Sequence, residues 1–96
     1  MAEDYTTKKE VRIYRTIEEV KDVIYDIVAE QFGKKKEDLP DNLKFVKDLG
    51  ADSLATLKLQ MELEDKFDLD IPEEDLEEIQ TIGQTADYVW NQKKGE

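Results

Sequence analysis

The first apolar stripe of the chain follows a helical period between residues 17 and 32. Its members recur at spacings of three, four and seven residues, which places them on one face of an α-helix. Thr16 and Glu19 form a capping box at its start, and Gly33 with the lysines after it is typical of a helix end. The pattern predicts a first amphipathic helix with this stripe: Ile17, Val20, Ile24, Ile27, Val28, Phe32.

A wider apolar face follows in the middle of the chain. It predicts a second helix that begins at Asp52 or Ser53 and ends at about Phe67. Two adjacent rows of apolar residues give the breadth that a central bundle helix needs. The first row is Leu54, Leu57 and Met61, and the second is Leu59, Leu63 and Phe67.

Two further helical segments complete the pattern. Pro72 and the acids after it predict the start of a short helix with Leu76 and Ile79 as its apolar residues. A second capping box, from Thr81 to Gln84, predicts the start of the last helix. The apolar stripe of that helix is Ile82, Ala86, Val89 and Trp90.

Residues 34–52 have no clear period, and Pro40 interrupts any helix there. We therefore expect a long ordered loop that is anchored to the core by Leu39, Leu43, Phe45, Val46 and Leu49. The fold class that follows is all-α: a small four-helix bundle with three main helices, one short helix and a long ordered loop between helices one and two.

One folded domain is expected over residues 16–92, with a flexible N-terminal extension at 1–15 and a polar tail at 93–96. No apolar run approaches the roughly 20 residues of a membrane span, and the first residues lack the layout of a secretory signal. A cytoplasmic monomer without membrane contact is the expectation.

The net charge of −11 lies entirely in the second part of the chain. Residues 1–36 hold 8 acids and 8 Lys or Arg, whereas residues 37–96 hold 17 acids and 6 Lys. Such a field repels nucleic acid and attracts basic protein surfaces. A merely solubilising surface is the simpler interpretation of an acidic chain. The concentration of acids around Ser53 favours a docking surface instead.

Ser53 is the only serine, and the chain contains neither His nor Cys. The short match of Asp52-Ser53-Leu54 to a hydrolase motif is therefore unsupported, because no histidine is present to take the proton of the serine. A calcium loop from Asp68 also fails, since Glu73 and Ile79 stand where an EF-hand needs Gly and Glu. No metal site is predicted.

The string from Asp48 to Leu54, together with Phe45, the patterned helix after it and Asp70-Ile71-Pro72, resembles the acyl carrier protein family. The resemblance covers about residues 16–92. It implies a non-enzymatic carrier whose serine, here Ser53, holds 4′-phosphopantetheine through a phosphodiester. Asp52 and Leu54 flank that cofactor site, and Asp52 is expected to help a phosphopantetheinyl transferase recognise the protein.

The resemblance also implies acyl cargo as a thioester, delivered to enzymes of fatty acid or related lipid biosynthesis that carry basic docking patches. The expected acyl pocket is Leu54, Leu57, Leu59, Met61, Leu63, Ile71, Leu76 and Ile79. The expected docking face is Asp52, Glu62, Glu64, Asp65, Glu73, Glu74 and Glu77, with Asp75 and Glu78 beside it.

Three positions depart from the family pattern. Ala55 and Lys58 stand where fatty-acid carriers commonly have acids, and Gln60 replaces a usual aliphatic residue. Lys58 is expected to pair with Glu62 one turn later. These departures keep open a specialised carrier for aminoacyl, polyketide or other acid cargo with dedicated partners. An interaction module that stays unmodified at Ser53 is the remaining alternative.

Overall fold

The computed structural model describes residues 14–93, and the predictions for residues 1–13 and 94–96 lie outside this part. Four α-helices follow in chain order: α1 (Ile17–Phe32), α2 (Phe45–Leu49), α3 (Ser53–Phe67) and α4 (Ile82–Lys93). A first 3-10 helix (Lys36–Asp38) precedes α2, and a second 3-10 helix (Glu73–Ile79) lies between α3 and α4. Residues 14–93 contain no strand, so the all-α fold class is confirmed.

The helix starts follow the predicted capping boxes. The Thr16 hydroxyl accepts a hydrogen bond from the N–H of Glu19 at 3.3 Å. The Glu19 carboxylate in turn accepts from the N–H of Arg15 at 2.7 Å, one residue earlier than a standard capping box. In α4, Thr81 accepts from the N–H of Gln84 at 3.0 Å. These bonds satisfy backbone donors that have no partner inside the helix.

The core lies where α1 packs against both α3 and α4, while the second 3-10 helix packs against α4. The predicted stripes supply most of it. Tyr14 extends the packed region before α1, with its ring centroid 5.3 Å from that of Phe67. At the other end Lys93 still belongs to α4. The main buried apolar residues are Val20, Ile24, Val28, Leu59, Leu63, Phe67, Ile82, Ala86 and Val89.

The long loop after α1 is more structured than its sequence predicts. It contains the first 3-10 helix and α2, which are too short to show a helical period. Leu39, Leu43 and Phe45 are buried as expected. Val46 is 65% exposed, so its prediction as a core anchor is wrong. Adjacent positions of a helix point in different directions, and α2 turns Phe45 rather than Val46 toward the core.

The predicted short helix forms a 3-10 helix, and Pro72 lies at its cap with an extended ψ of 155° rather than at its first helical position. The chain there is also attached to its neighbours by side chains. The Tyr88 hydroxyl on α4 donates to the Asp75 carboxylate at 2.7 Å. Burial and this hydrogen bond both raise the pKa of Tyr88.

Asp41 joins the long loop to α1 and α4. Its carboxylate accepts from Lys21 at 2.7 Å and from the Tyr25 hydroxyl, while its main-chain oxygen accepts from the N–H of Gly83 at 2.8 Å. The hydrogen bonds from Lys21 and Tyr25 hold the pKa of Asp41 below its usual value of 3.8. Burial of Tyr25 and, as the second cause, its hydrogen bond to Asp41 raise the pKa of Tyr25 to about 12.

We expect Asp41→Asn to lower the free energy of unfolding near neutral pH by about 1 kcal/mol. Hydrogen bonds to charged groups stabilise a fold less when the charged group is half-exposed, as Asp41 is, than when it is buried. Because the pKa of Asp41 is depressed in the folded state, its contribution is complete above the usual value of 3.8 and is lost as the pH falls through the folded value. The stability difference from the parent should therefore shrink below about pH 4. Urea unfolding at several pH values measures it. Asp70→Asn, at an exposed residue, is the control.

Candidate functional site

Ser53 is the first residue of α3, and the residue before it makes the helix cap. The Asp52 carboxylate accepts from the N–H of Ala55 at 2.8 Å, and its main-chain oxygen accepts from the N–H of Thr56 at 2.9 Å. The exposed Ser53 hydroxyl therefore has no capping role. It forms no hydrogen bond within residues 14–93. Asp52, not Ser53, is the structural residue of the Asp-Ser pair.

A tight turn brings the chain from α2 to Ser53. Gly50 ends α2 with a φ of 67°, a conformation that side chains other than glycine rarely adopt. Its N–H donates to the Val46 oxygen at 3.0 Å, and the N–H of Ala51 donates to the Phe45 oxygen at 3.1 Å. Ala51 is 4% exposed. The turn thus holds the residues before Ser53 firmly while Ser53 itself faces solvent.

The start of α3 suits an anionic group on the Ser53 oxygen. The N–H groups of Ser53 and Leu54 have no hydrogen-bond partner in the described part of the chain. After the Asp52 cap, whose carboxylate is bonded to the N–H of Ala55, the first turn of α3 contains no acidic residue, whereas that of α1 contains Glu18 and Glu19. Free N–H groups and the helix dipole at an N-terminus both favour a negative charge. The residues present therefore fit a phosphodiester at this position.

An open cleft of about 840 Å³ begins beside Ser53 and runs between α3 and the second 3-10 helix. Two of the predicted pocket residues, Leu57 and Leu76, line it. The sequence analysis gave three other members different roles: Asp52 and Ser53 at the cofactor site and Glu73 on the docking face. It did not place Val46, Ala51, Thr56 or Gln60 in a pocket. The complete lining is Val46, Ala51, Asp52, Ser53, Thr56, Leu57, Gln60, Glu73 and Leu76.

A second cavity of about 360 Å³ adjoins this cleft. The two share Val46, Thr56 and Leu76, and the second one reaches the buried side chains of Phe45 and Ile79. The predicted pocket residue Ile79 therefore lines this second cavity and not the cleft that contains Leu57.

The remaining predicted pocket residues fall into two groups. Leu59, Leu63 and Ile71 are between 0% and 3% exposed and belong to the packed core. Leu54 and Met61 are 74% and 58% exposed, and with Leu57 they line a surface groove on α3 beside Lys58, Glu62 and Asp65. Neither group lines the cleft at Ser53.

Two side chains of α3 hold the backbone of Ile71, just before the second 3-10 helix. The Gln60 side-chain amide donates to the Ile71 oxygen at 3.1 Å, and the Glu64 carboxylate accepts from the Ile71 N–H at 2.9 Å. Both bonds are partly buried. Glu64 therefore stabilises the domain through a bond to the backbone, whereas the sequence analysis predicted it as a docking residue.

The other predicted docking acids lie on two neighbouring surfaces. Glu62 and Asp65 are exposed on α3, and Glu73, Glu74, Glu77 and Glu78 are exposed on the second 3-10 helix. Asp75 is half-buried and bonded to Tyr88. Lys58 makes no ion pair with Glu62 in the described chain, contrary to the prediction. An exposed pair at this spacing contributes only about 0.2–0.5 kcal/mol, too little to fix two long side chains.

Within residues 14–93, no group of three or more acidic side chains comes together in a way that could hold a metal ion. No helix in the same range is both long and apolar enough to cross a membrane.

Comparison with known proteins agrees with this geometry. A family profile described as "Phosphopantetheine attachment site" matches residues 22–89. The Acyl carrier protein of Chloroherpeton thalassium is 46% identical over 79 residues, which cover 82% of this chain and 99% of that protein. Those of Chlorobium phaeovibrioides and Chlorobium luteolum are 49% and 48% identical over 71 residues, or 74% of this chain and 91% of each relative.

A helical bundle with a free serine at a helix start, matched by this profile, defines a phosphopantetheine-binding carrier. The chain belongs to the acyl carrier protein family. It is therefore a carrier and not an enzyme, and its cofactor is covalently attached 4′-phosphopantetheine. Its partners include a phosphopantetheinyl transferase and acyl-processing enzymes.

Proposed function

We propose that Ser53 is the residue to which 4′-phosphopantetheine is attached, with Asp52 and Leu54 as the flanking residues that the transferase contacts. The observation that supports this most strongly is that Asp52 and not Ser53 caps α3. Asp52 makes the cap, and the Ser53 hydroxyl is left exposed and unbonded beside two free N–H groups. Esterification of Ser53 would therefore break no hydrogen bond of the fold.

The residues of this chain would bind and shelter rather than react. The cofactor supplies a thiol that carries acyl groups as thioesters, and the chain has no His or Cys of its own to attack such a bond. The free N–H groups of Ser53 and Leu54 would face the phosphodiester. The cleft beside Ser53 would remove part of the phosphopantetheine arm and its acyl group from water.

We propose fatty acyl groups, delivered to enzymes of fatty acid or related lipid biosynthesis, as the cargo. Leu57, Leu76 and Val46 give the cleft apolar walls, and Phe45 and Ile79 line the cavity behind it. Each methylene buried there contributes about 0.8 kcal/mol. Of the sequence-predicted pocket, Leu59, Leu63 and Ile71 would support these walls from the core, and the exposed Leu54 and Met61 would contact partners.

The intact mass of the protein isolated from its native host tests this cargo. A series of masses that differ from the phosphopantetheinylated protein by acyl chains would support it. A single aminoacyl or polyketide adduct would instead support a specialised carrier with dedicated partners. Lys58 and Gln60, which depart from the family pattern, favour that second candidate.

Partner enzymes would approach along the acidic surface of α3 and the second 3-10 helix. Glu62, Asp65, Glu73, Glu74 and Glu77 are the exposed acids of the proposed docking face, next to Asp52. Pairs of exposed charges contribute about 0–1 kcal/mol each, so they steer the encounter and allow rapid release. Such a surface suits a carrier that must visit several enzymes in turn.

Replacing Glu73, Glu74 and Glu77 together with Gln should raise the KM of the transferase for the apo protein roughly 10-fold at low salt. This increase in KM should become small at high salt, because salt screens exposed charges over a Debye length of about 8–10 Å. The matched control replaces Glu18, Glu30 and Glu37, which are also exposed but lie on α1 and the first 3-10 helix. Equal effects of the two triple variants would contradict a localised docking face.

A location in the cytoplasm and a monomeric state belong to the same proposal. A carrier thiol must stay reduced to form thioesters, and the cytoplasm keeps thiols reduced. Fractionation of the host and sedimentation of the purified carrier measure the two properties.

A further inference from the structure

Two polar side chains line the cleft beside Ser53, on the α3 side. Thr56 and Gln60 are one helical turn apart, and both follow Ser53 along the same face of the helix. The Gln60 amide uses one N–H to bind the Ile71 oxygen at 3.1 Å. Its oxygen and its second N–H form no hydrogen bond in the described part of the chain, and neither does the Thr56 hydroxyl. Both residues are half-buried.

These groups make part of the cleft wall unfavourable for a saturated chain. A saturated acyl chain that fills the cleft would remove water from the free oxygen of Gln60 without replacing its hydrogen bonds. A polar group that loses water and gains no partner lowers the stability of the filled state. This loss opposes the gain from covering Leu57, Leu76 and Val46. A chain that bears a hydroxyl or oxo oxygen could instead pair with Gln60 and Thr56.

We infer that Gln60 determines cargo specificity by favouring acyl chains that carry a hydroxyl or oxo group over saturated chains of the same length. The inference rests on the proposed attachment at Ser53. It names a cargo class for the same cleft. Thr56 is the second polar group of that subsite. Gln60 contributes a hydrogen-bonding side chain where an aliphatic residue would give a purely apolar wall.

The arm itself also carries amide groups that could pair with Gln60. Gln60 lies seven residues from Ser53, about 10 Å further along the helix axis at 1.5 Å per residue. The unloaded holo protein separates the two sources. If the partner is the cargo, Gln60 has no influence until an acyl group is attached.

The experiment compares thermal unfolding of the apo, holo, octanoyl and 3-hydroxyoctanoyl forms. The variants are Gln60→Val and the nearly isosteric Gln60→Met, with Gln92→Val on the exposed surface of α4 as control. Each change in Tm is calculated relative to the holo form of the same variant. The destabilisation caused by losing the hydrogen bond from Gln60 to Ile71 is present in both forms and therefore cancels. In the parent and the control, the hydroxylated chain should raise Tm by about 4 °C more than the saturated chain. In both Gln60 variants this order should disappear or reverse.

Three results would overturn the inference. The first is an equal or larger stabilisation of the parent by the saturated chain. The second is a preference for the hydroxylated chain that persists in both Gln60 variants. The third is a Gln60 variant that already changes the Tm difference between the apo and holo forms, because the phosphopantetheine arm would then be the partner of Gln60. A protein that gains no arm at all fails at an earlier step, visible in its mass, and overturns the attachment at Ser53 instead.

Discussion

Ser53→Ala is expected to abolish the transfer of phosphopantetheine to this protein. Incubated with coenzyme A and a broad-specificity phosphopantetheinyl transferase, the parent should gain one group and the variant none. The loss should be chemical and not structural, because Asp52 caps α3 and the Ser53 hydroxyl bonds nothing in the described domain. The free energy of unfolding should therefore change by no more than about 0.5 kcal/mol, the range for surface positions. Intact mass and urea unfolding measure the two effects.

Thr56→Ala is the matched control for this loss. Thr56 is the next hydroxyl in the same cleft, one turn along α3, and it should leave the labelling intact. Asp52→Ala gives the complementary result: it removes the cap and should cost about 1 kcal/mol of stability. Labelling of Ser53→Ala to the extent of the parent would move the attachment site elsewhere.

The second large effect concerns stability. Leu63 is fully buried between the helices, whereas Leu54, on the same helix, is 74% exposed. We expect Leu63→Ala to lower the free energy of unfolding by about 2–5 kcal/mol, because it removes core contacts and leaves a cavity. Leu54→Ala should change it by no more than about 0.5 kcal/mol. Urea unfolding of the unmodified protein compares them.

This pair of variants also separates two roles that the sequence analysis gave to both residues. If Leu63 lined an open slot, its truncation would enlarge that slot at little cost to the unloaded protein. A cost below about 1 kcal/mol would therefore contradict its place in the packed core. A large cost for Leu54→Ala would show that its side chain is covered by part of the domain.

Local signals in the sequence predicted the helix boundaries well, because each is determined by residues next to it. Thr16 and Thr81 cap their helices through hydroxyl groups, and Gly33 ends α1 in a left-handed conformation. The family resemblance, confirmed by the comparisons, depended on the equally local string around Ser53. These features need no knowledge of the tertiary structure.

Features that depend on packing were harder to predict. The five residues of α2 are too few to show a period, so the exposure of Val46 was missed. An apolar residue on α3 can face the core, the cleft or solvent. The spacing that linked Leu54, Leu57 and Met61 could not tell which. A search for apolar residues could not place the polar residues Thr56 and Gln60 in the cleft, although Gln60 was noted as a departure from the family pattern.

The roles of individual acidic residues also depend on packing and were equally hard to predict from the sequence. Composition located the negative charge correctly, but it could not distinguish Glu64, which bonds the Ile71 backbone, from its exposed neighbours. An internal bond to a backbone N–H depends on where a distant segment passes. The proposed docking face is therefore smaller than the sequence alone suggested.

The most direct test of the account is to find the modified residue in the parent protein. After phosphopantetheinyl transfer, proteolysis and fragmentation of the labelled peptide by mass spectrometry assign the added group to one side chain. The account predicts that the group is on the oxygen of Ser53 in every labelled molecule. A group found on Thr56 or any other hydroxyl, or a parent protein that accepts none, would contradict it.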